Sequence, residues 1–285
     1  MNASLATWRT YLQERSPLPA ITTIGFLQSL SSNYLFRAEL DGKGILMSTL
    51  CLTLLLILMR LMDEIKDYQR DLIAHPERPL PRGLLTSAQI LRAIQVLTTG
   101  LLASGALLFF FRSAASGAAL VFTVVYLLLM YKEFFCSKSI NRNAFFYAIT
   151  HQAILIPMYI FSVSMTSPEA AFSERTLWFS LTGLGASFAF EVCRKLDPNS
   201  HPVLNTYLAL YGKTPTMIAI SLALGLLSVS AWKIGVQTLV WPAVGLLILF
   251  LPLVYFMPRQ FKLIERICAF VALVQLLAVT IMHFL

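Results

Sequence analysis

Long, almost unbroken apolar runs constrain this chain more than any other feature. Residues 46–61 and 118–130 are nearly all apolar, and similar stretches recur along the 285 residues. Only 13% of the residues are charged and 57% are hydrophobic, whereas a soluble domain carries roughly 25% charged residues. This composition excludes a soluble globule and a disordered chain. Because transmembrane barrel strands alternate apolar and polar residues, the uninterrupted runs predict an all-α, polytopic membrane bundle.

Nine segments approach the roughly 20 residues that a helix needs to cross a bilayer. They cover residues 17–36, 44–62, 89–111, 114–131, 144–165, 176–192, 214–232, 236–257 and 263–285. We expect these nine transmembrane helices to surround a central cavity. Polar residues between Gln28 and Asn33 interrupt the first segment, and we expect their face to lie inside the bundle.

The distribution of Lys and Arg supports nine spans. Fifteen of the 22 Lys and Arg lie in the N-terminal tail and in the loops after the even-numbered spans, and five lie in the opposite loops. Short cytoplasmic loops carry such an excess, so the N-terminus and the first set of loops are predicted to be cytoplasmic. This topology also accounts for the net charge of +8, and no nucleic-acid partner is expected.

An acidic motif follows the second span and contains Asp63, Glu64, Asp67 and Asp71. If the helix continues past the membrane, spacings of three and four residues place these carboxylates on one face, where they repel each other. Mg²⁺ prefers oxygen ligands and joins one or two carboxylates to substrate phosphates. The alternative is a solvated interfacial helix in which Lys66 and Arg70 neutralise the acids.

A proline-rich segment at 75–83 comes directly after this motif. Its prolines end the helix and stiffen the backbone, which holds Arg78 and Arg82 near the acidic face. Cations beside a metal-binding cluster suit a polyanion. The alternative is a proline-rich turn that carries ordinary cytoplasmic arginines.

A second charged cluster ends the sixth span and contains Glu191, Arg194, Lys195 and Asp197. An ionisable side chain that meets the interface from within the bundle is a candidate for function. Lys195 at i+4 from Glu191 also suits a simple ion pair at the helix end. Lys132, at the end of the fourth span, approaches from a third direction. His151 in the fifth span is interpreted as a helix–helix hydrogen bonder rather than a base.

The pattern D-E-x-x-D-x-x-x-D at 63–71, the run RPLPRG at 78–83 and the second motif after the sixth of nine spans resemble the UbiA superfamily of intramembrane prenyltransferases. The resemblance covers nearly the whole chain and implies a single domain, residues 1–285. In the first family motif, N-D-x-x-D-x-x-x-D, Asp63 occupies the Asn position. In the second, D-x-x-x-D, Glu191 and Lys195 occupy the acidic positions. Either Asp197 replaces the missing ligand or Lys195 contacts the diphosphate directly, and we favour the second.

The resemblance implies Mg²⁺-dependent transfer of a prenyl group from an allylic polyprenyl diphosphate to an aromatic or other small lipophilic acceptor. It implies a multi-pass protein in membrane lipid with no obligate protein partner. The implied metal ligands are Asp63, Glu64, Asp67, Asp71, Glu191 and Asp197. The implied diphosphate-binding residues are Arg78, Arg82, Lys132, Arg194 and Lys195. The implied catalytic residues are Asp67, Asp71, Glu191 and Lys195.

Two alternatives stay open at this point. A UbiA-type terpene cyclase would ionise the same diphosphate without an external acceptor, and the altered second motif keeps that option. A cation or small-molecule transporter would need ionisable residues at mid-membrane, where the sequence supplies little beyond His151.

Overall fold

The computed structural model describes residues 4–140 and 142–285, and the regular elements in this part of the chain are all helical. The α-helices are α1 (Leu5–Arg15), α2 (Leu18–Tyr34), α3 (Gly42–Ala74), α4 (Ser87–Phe111), α5 (Ala114–Tyr131), α6 (Ser137–Ile140), α7 (Ala144–Gln152), α8 (Leu155–Thr166), α9 (Glu174–Cys193), α10 (Tyr207–Tyr211), α11 (Lys213–Ile234), α12 (Gln237–Phe250), α13 (Leu253–Phe256) and α14 (Phe261–Phe284). Short 3₁₀ turns lie at Glu133–Phe135, Pro168–Ala170, Pro202–Leu204 and Pro258–Gln260.

Within residues 4–140 and 142–285, eight helical stretches are long and apolar enough to cross a membrane, compared with nine predicted. The difference is the first predicted span, which forms the shorter, 17-residue helix α2. α2 packs against α3, α8 and α14. Its polar residues, including Gln28 and Asn33, are buried inside the bundle as predicted.

Side-chain caps fix where several helices begin. Thr86 and Gln89 form a reciprocal capping box at the start of α4, and Ser113 accepts a hydrogen bond from the Ser116 N–H at the start of α5. Asp41 accepts the Gly44 N–H over 2.9 Å and pairs with Arg112. Such caps satisfy backbone groups that a helix end leaves unpaired.

Two of the predicted spans are discontinuous. The fifth divides into α7 and α8 around Ala153, because Pro157 cannot donate a backbone hydrogen bond to the preceding turn. The eighth divides into α12 and α13 ahead of Pro252 in the same way. The break after α7 brings the short helix and its polar side chains to the end of α3.

Two apolar clusters form the core of the described part of the chain. One joins α3, α5 and α8 through residues such as Leu52 and Phe161, and the other joins α9, α11 and α14 through residues such as Leu227. α9 and α11 approach closely at Gly185, where a Cβ would lie 2.8 Å from the Ala223 carbonyl oxygen. As second and sixth spans, α3 and α9 run in the same direction, so their motif-bearing ends lie at one end of the bundle.

Candidate active site

The first acidic motif lies in the last three turns of α3. Asp63 is exposed and the Asp67 side chain is 45% exposed, whereas Glu64 and Asp71 are 1% and 2% exposed. At 3.6 residues per turn, Glu64 points about a quarter turn away from Asp63, and Asp71 lies on the same side as Glu64. The four carboxylates lie within about 100° of the α3 circumference, and burial divides them into an open side, with Asp63 and Asp67, and a buried side, with Glu64 and Asp71.

The buried side of the motif is occupied by two arginines. Arg15 Nε donates to Glu64 Oε1 over 2.5 Å, and Arg78 Nη1 donates to Asp71 Oδ1 over 2.6 Å. Charge-assisted hydrogen bonds of this length are strong. Glu64 and Asp71 therefore anchor α1 and the proline-rich segment, and their predicted role as metal ligands stays a prediction.

Arg82 also binds a carboxylate of the protein. Its two terminal nitrogens donate to the Glu14 oxygens over 2.9 and 2.7 Å, and the hydrogen bonding from Arg82 lowers the pKa of Glu14. Lys132 lies at the end of α5, with its ammonium 5.3 Å from the Tyr131 ring centroid. Both cations lie near the predicted site at this end of the bundle, and diphosphate binding by them stays a prediction.

The second motif is a compact ion-pair cluster at the end of α9. Glu191 accepts from Arg194 and from Lys195, each over 2.6 Å, and its side chain is 15% exposed. Although burial lowers the pKa of Arg194, the charge of Glu191 outweighs it and raises that pKa. Asp197 lies in the following loop, where its Oδ1 accepts the Asn199 N–H over 2.9 Å.

The open side of α3 and the end of α9 face each other. Arg194 lies within electrostatic range of Asp63 as well as Glu191. Two phenols contribute to the same space: Tyr147 of α7 lies near Asp63 and Asp67, and Tyr207 of α10 lies near Glu191. Residues that are more than 120 positions apart in sequence thus meet around one polar space.

The donor set limits how a metal ion would be held. Among the described residues, no group of three or more His, Cys, Asp and Glu side chains converges on one point. Asp63 and Asp67 are one helical turn apart, and the ion pair of Asp67 with Arg70 is long, with 3.6 Å between Asp67 Oδ1 and Arg70 Nη1. Two such carboxylates fit Mg²⁺, which completes its coordination with waters and substrate phosphates rather than with a full protein cage.

The structure adds a cluster that the sequence interpretation missed, which we call the lysine cluster: Lys66, Glu133, Tyr147 and His151. Lys66 Nζ donates to Tyr147 Oη over 3.1 Å and to His151 Nε2 over 3.2 Å, and it lies 3.7 Å from Glu133 Oε1. The available signals were the i+4 spacing of Tyr147 and His151 and the position of Lys66 beside Asp67. Neither signal shows that the two helices meet.

An apolar cavity of about 510 Å³ begins beside the second motif. Phe145, Leu184, Phe188, Ile218, Ala219 and Leu222 are among the residues that line it, so its walls come from α7, α9 and α11. Phe145 stacks on Tyr207 and Tyr211, with ring centroids 5.0 and 4.8 Å apart. Because the Lys195 ammonium lies 5.3 Å from the Tyr207 ring centroid, the aromatic stack joins the cavity to the charged site.

The comparisons with known proteins agree with this arrangement. A solved structure from work on digeranylgeranylglyceryl phosphate synthase in membranes shares the fold, with a TM-score of 0.67 over 97% of this chain and 98% of that chain at 14% identity. A search of curated proteins found no match. The model of the UbiA prenyltransferase family matches residues 26–274. Since that match covers most of the sequence and both charged motifs, the chain belongs to the UbiA prenyltransferase family.

Proposed function

We propose that this protein transfers a prenyl group from an allylic polyprenyl diphosphate to an aromatic or other small lipophilic acceptor, and that ionisation of the diphosphate requires Mg²⁺. Family membership supports prenyl transfer within the membrane. The observation that carries the finer proposal is the meeting of the open α3 carboxylates with the cations at the end of α9.

Asp63 and Asp67 are the residues that we propose to hold Mg²⁺. Both lie on the open side of α3, where a phosphate oxygen can reach them. When bound, the ion would neutralise charge that develops on the leaving diphosphate. Asp71 acts in this proposal through Arg78, which it holds at the edge of the site.

The α9 cluster supplies positive charge in place of a second metal ion. Arg194 and Lys195 bring two positive charges against the single negative charge of Glu191. The excess cation faces the α3 acids and would bind the diphosphate, since a lysine acts on phosphate as a point charge. Glu191 positions both cations in this arrangement. The lysine that replaces an acid in D-x-x-x-D thus has a chemical role.

The apolar cavity is where we place the prenyl chain. Its walls are hydrophobic and begin at the aromatic stack beside Lys195. A carbon chain in this cavity would set its allylic end next to the diphosphate site and exclude water from the carbocation. The excess of Lys and Arg at this end of the bundle supports a cytoplasmic position for the site.

The test uses purified full-length protein in nanodiscs with geranyl, farnesyl and geranylgeranyl diphosphate plus a membrane lipid extract. We expect diphosphate release and a new prenylated adduct by mass spectrometry with Mg²⁺, and neither with EDTA. Asp67→Asn should lower the rate about 100-fold or more. Glu169→Gln is the matched control, because Glu169 is exposed in the loop after α8, at the opposite end of the bundle.

Three other results would contradict the proposal. Turnover that is unaffected by EDTA would exclude a required metal ion. A cyclised hydrocarbon without any adduct would identify a cyclase that needs no acceptor. Ion or solute flux into proteoliposomes, with no turnover of any diphosphate, would favour the transporter.

A further inference from the structure

The lysine cluster contains a histidine whose tautomer follows from its contacts. His151 Nδ1 lies 2.8 Å from the Tyr147 carbonyl oxygen, and a carbonyl only accepts hydrogen bonds, so Nδ1 carries a proton. Nε2 faces the Lys66 ammonium at 3.2 Å. Because a charged imidazole would repel that ammonium, the ring is neutral and Nε2 is the acceptor. His151 thus carries a basic nitrogen aimed at Lys66.

The surroundings hold this ring firmly. Tyr147 stacks on His151 with centroids 3.8 Å apart, and Phe134 meets it edge-on at 6.3 Å. Phe134 lies in a turn in which three successive non-glycine residues have left-handed φ values of 50, 51 and 57°. Such conformations are strained for non-glycine residues and persist where surrounding contacts enforce them, often at functional sites. The turn also directs Glu133 towards Lys66.

We propose that His151 Nε2 accepts the proton that the acceptor substrate loses, and that bound diphosphate uncovers this nitrogen by drawing Lys66 away. The inference rests on the proposed function. Lys66 lies within electrostatic range of Asp63 and directly precedes Asp67 in the chain. A diphosphate bound near those carboxylates is a stronger partner for an ammonium than a neutral imidazole.

The proposed step breaks one bond to carbon and forms another. The bond between the allylic carbon and the diphosphate oxygen breaks, and its electron pair leaves with the diphosphate. A lone pair or π-bond of the acceptor forms the new bond to the allylic carbon. The acceptor then releases a proton to Nε2, giving an imidazolium whose Nδ1–H still donates to the Tyr147 carbonyl oxygen. Glu133 offsets positive charge at the cluster, and the proton later passes to solvent.

The uncovering of Nε2 is tested with diethyl pyrocarbonate, which modifies neutral imidazole nitrogen. Mass spectrometry follows His151, with His75, His201 and His283 as internal references in the same chain. We expect inorganic diphosphate plus Mg²⁺ to raise the modification rate of His151 several-fold relative to the references, and Lys66→Met to raise it without diphosphate. Lys138→Met, at exposed Lys138, is the matched control.

If calorimetry shows that diphosphate binds, but His151 is protected or its modification rate is unchanged, the inference is overturned. Diphosphate that does not bind would instead count against the proposed function. The catalytic role is tested by His151→Asn, which should lower formation of the extract-derived adduct about 100-fold and leave diphosphate release within about threefold. Equal losses of both would mean a structural role and overturn the inference. If His151→Asn does not fold, the modification experiment on wild-type protein decides.

Discussion

The buried ion pair between Arg15 and Glu64 allows a quantitative stability prediction. The Glu64 side chain is fully buried and Arg15 is 17% exposed, and Glu64 Oε2 already has no hydrogen-bond partner. Arg15→Met leaves a buried carboxylate without a cation, a change that costs about 3–5 kcal/mol. Since α1 is held by this pair and by Tyr11, which is fully buried, the cost should appear as opening of α1. The fraction of molecules in which α1 is open is expected to rise roughly 150- to 5,000-fold.

Hydrogen exchange of the α1 amides, followed by mass spectrometry in nanodiscs, measures this opening directly. Arg15→Met combined with Glu64→Leu should recover most of the protection, because an apolar pair replaces a buried ion pair at little cost. Arg82→Gln is the matched control: it removes the other pair that holds α1, but the Arg82 and Glu14 side chains are each 37% exposed, so little change is expected. The reasoning is refuted if Arg15→Met behaves like Arg82→Gln, or if the double variant opens as far as the single one.

Two further predictions concern the opposite end of the bundle and the cavity. Burial raises the pKa of Asp41, but the Gly44 N–H and the Arg112 guanidinium outweigh burial and lower that pKa. The stabilisation from ionised Asp41 is therefore fully present above about pH 3.9 and is lost as the pH falls through the lowered pKa. Asp41→Asn should therefore lower the thermal midpoint at pH 7, and its difference from wild type should shrink in acid; a constant difference would contradict this. Ala219→Trp should fill part of the cavity and lower kcat/KM for geranylgeranyl diphosphate about tenfold more than for geranyl diphosphate, about 1.4 kcal/mol. Leu249→Trp, at exposed Leu249 on α12, should leave the ratio of kcat/KM between the two diphosphates unchanged. If the ratio is the same in the two variants, the prenyl chain does not bind in this cavity.

Most of the fold could be predicted from the sequence because a bilayer imposes length and apolarity on each span. The predicted segment 114–131 coincides with α5, whose start is also marked by the cap Ser113. α1 was not predicted, since its side chains gain stability from partners elsewhere in the chain rather than from a periodic pattern. The breaks at 153 and 252 were also missed. Proline alone does not locate them, because Pro242 lies inside α12 without ending it.

The same contrast holds at the candidate site, where spacing within one helix could be interpreted and contacts between distant residues could not. Spacing on one helix predicted correctly that acids gather at the end of α3, and it could not assign their partners. Glu64 meets Arg15 across 49 residues, and Lys66 meets His151 across 85. These contacts decide which carboxylates stay open to a ligand and which hold the fold. Asp63 and Asp67 remain open because the arginines of α1 and of the proline-rich segment bind the other two acids. A change at Arg15 or Arg78 would therefore alter the charge of the site without touching a residue on its open side.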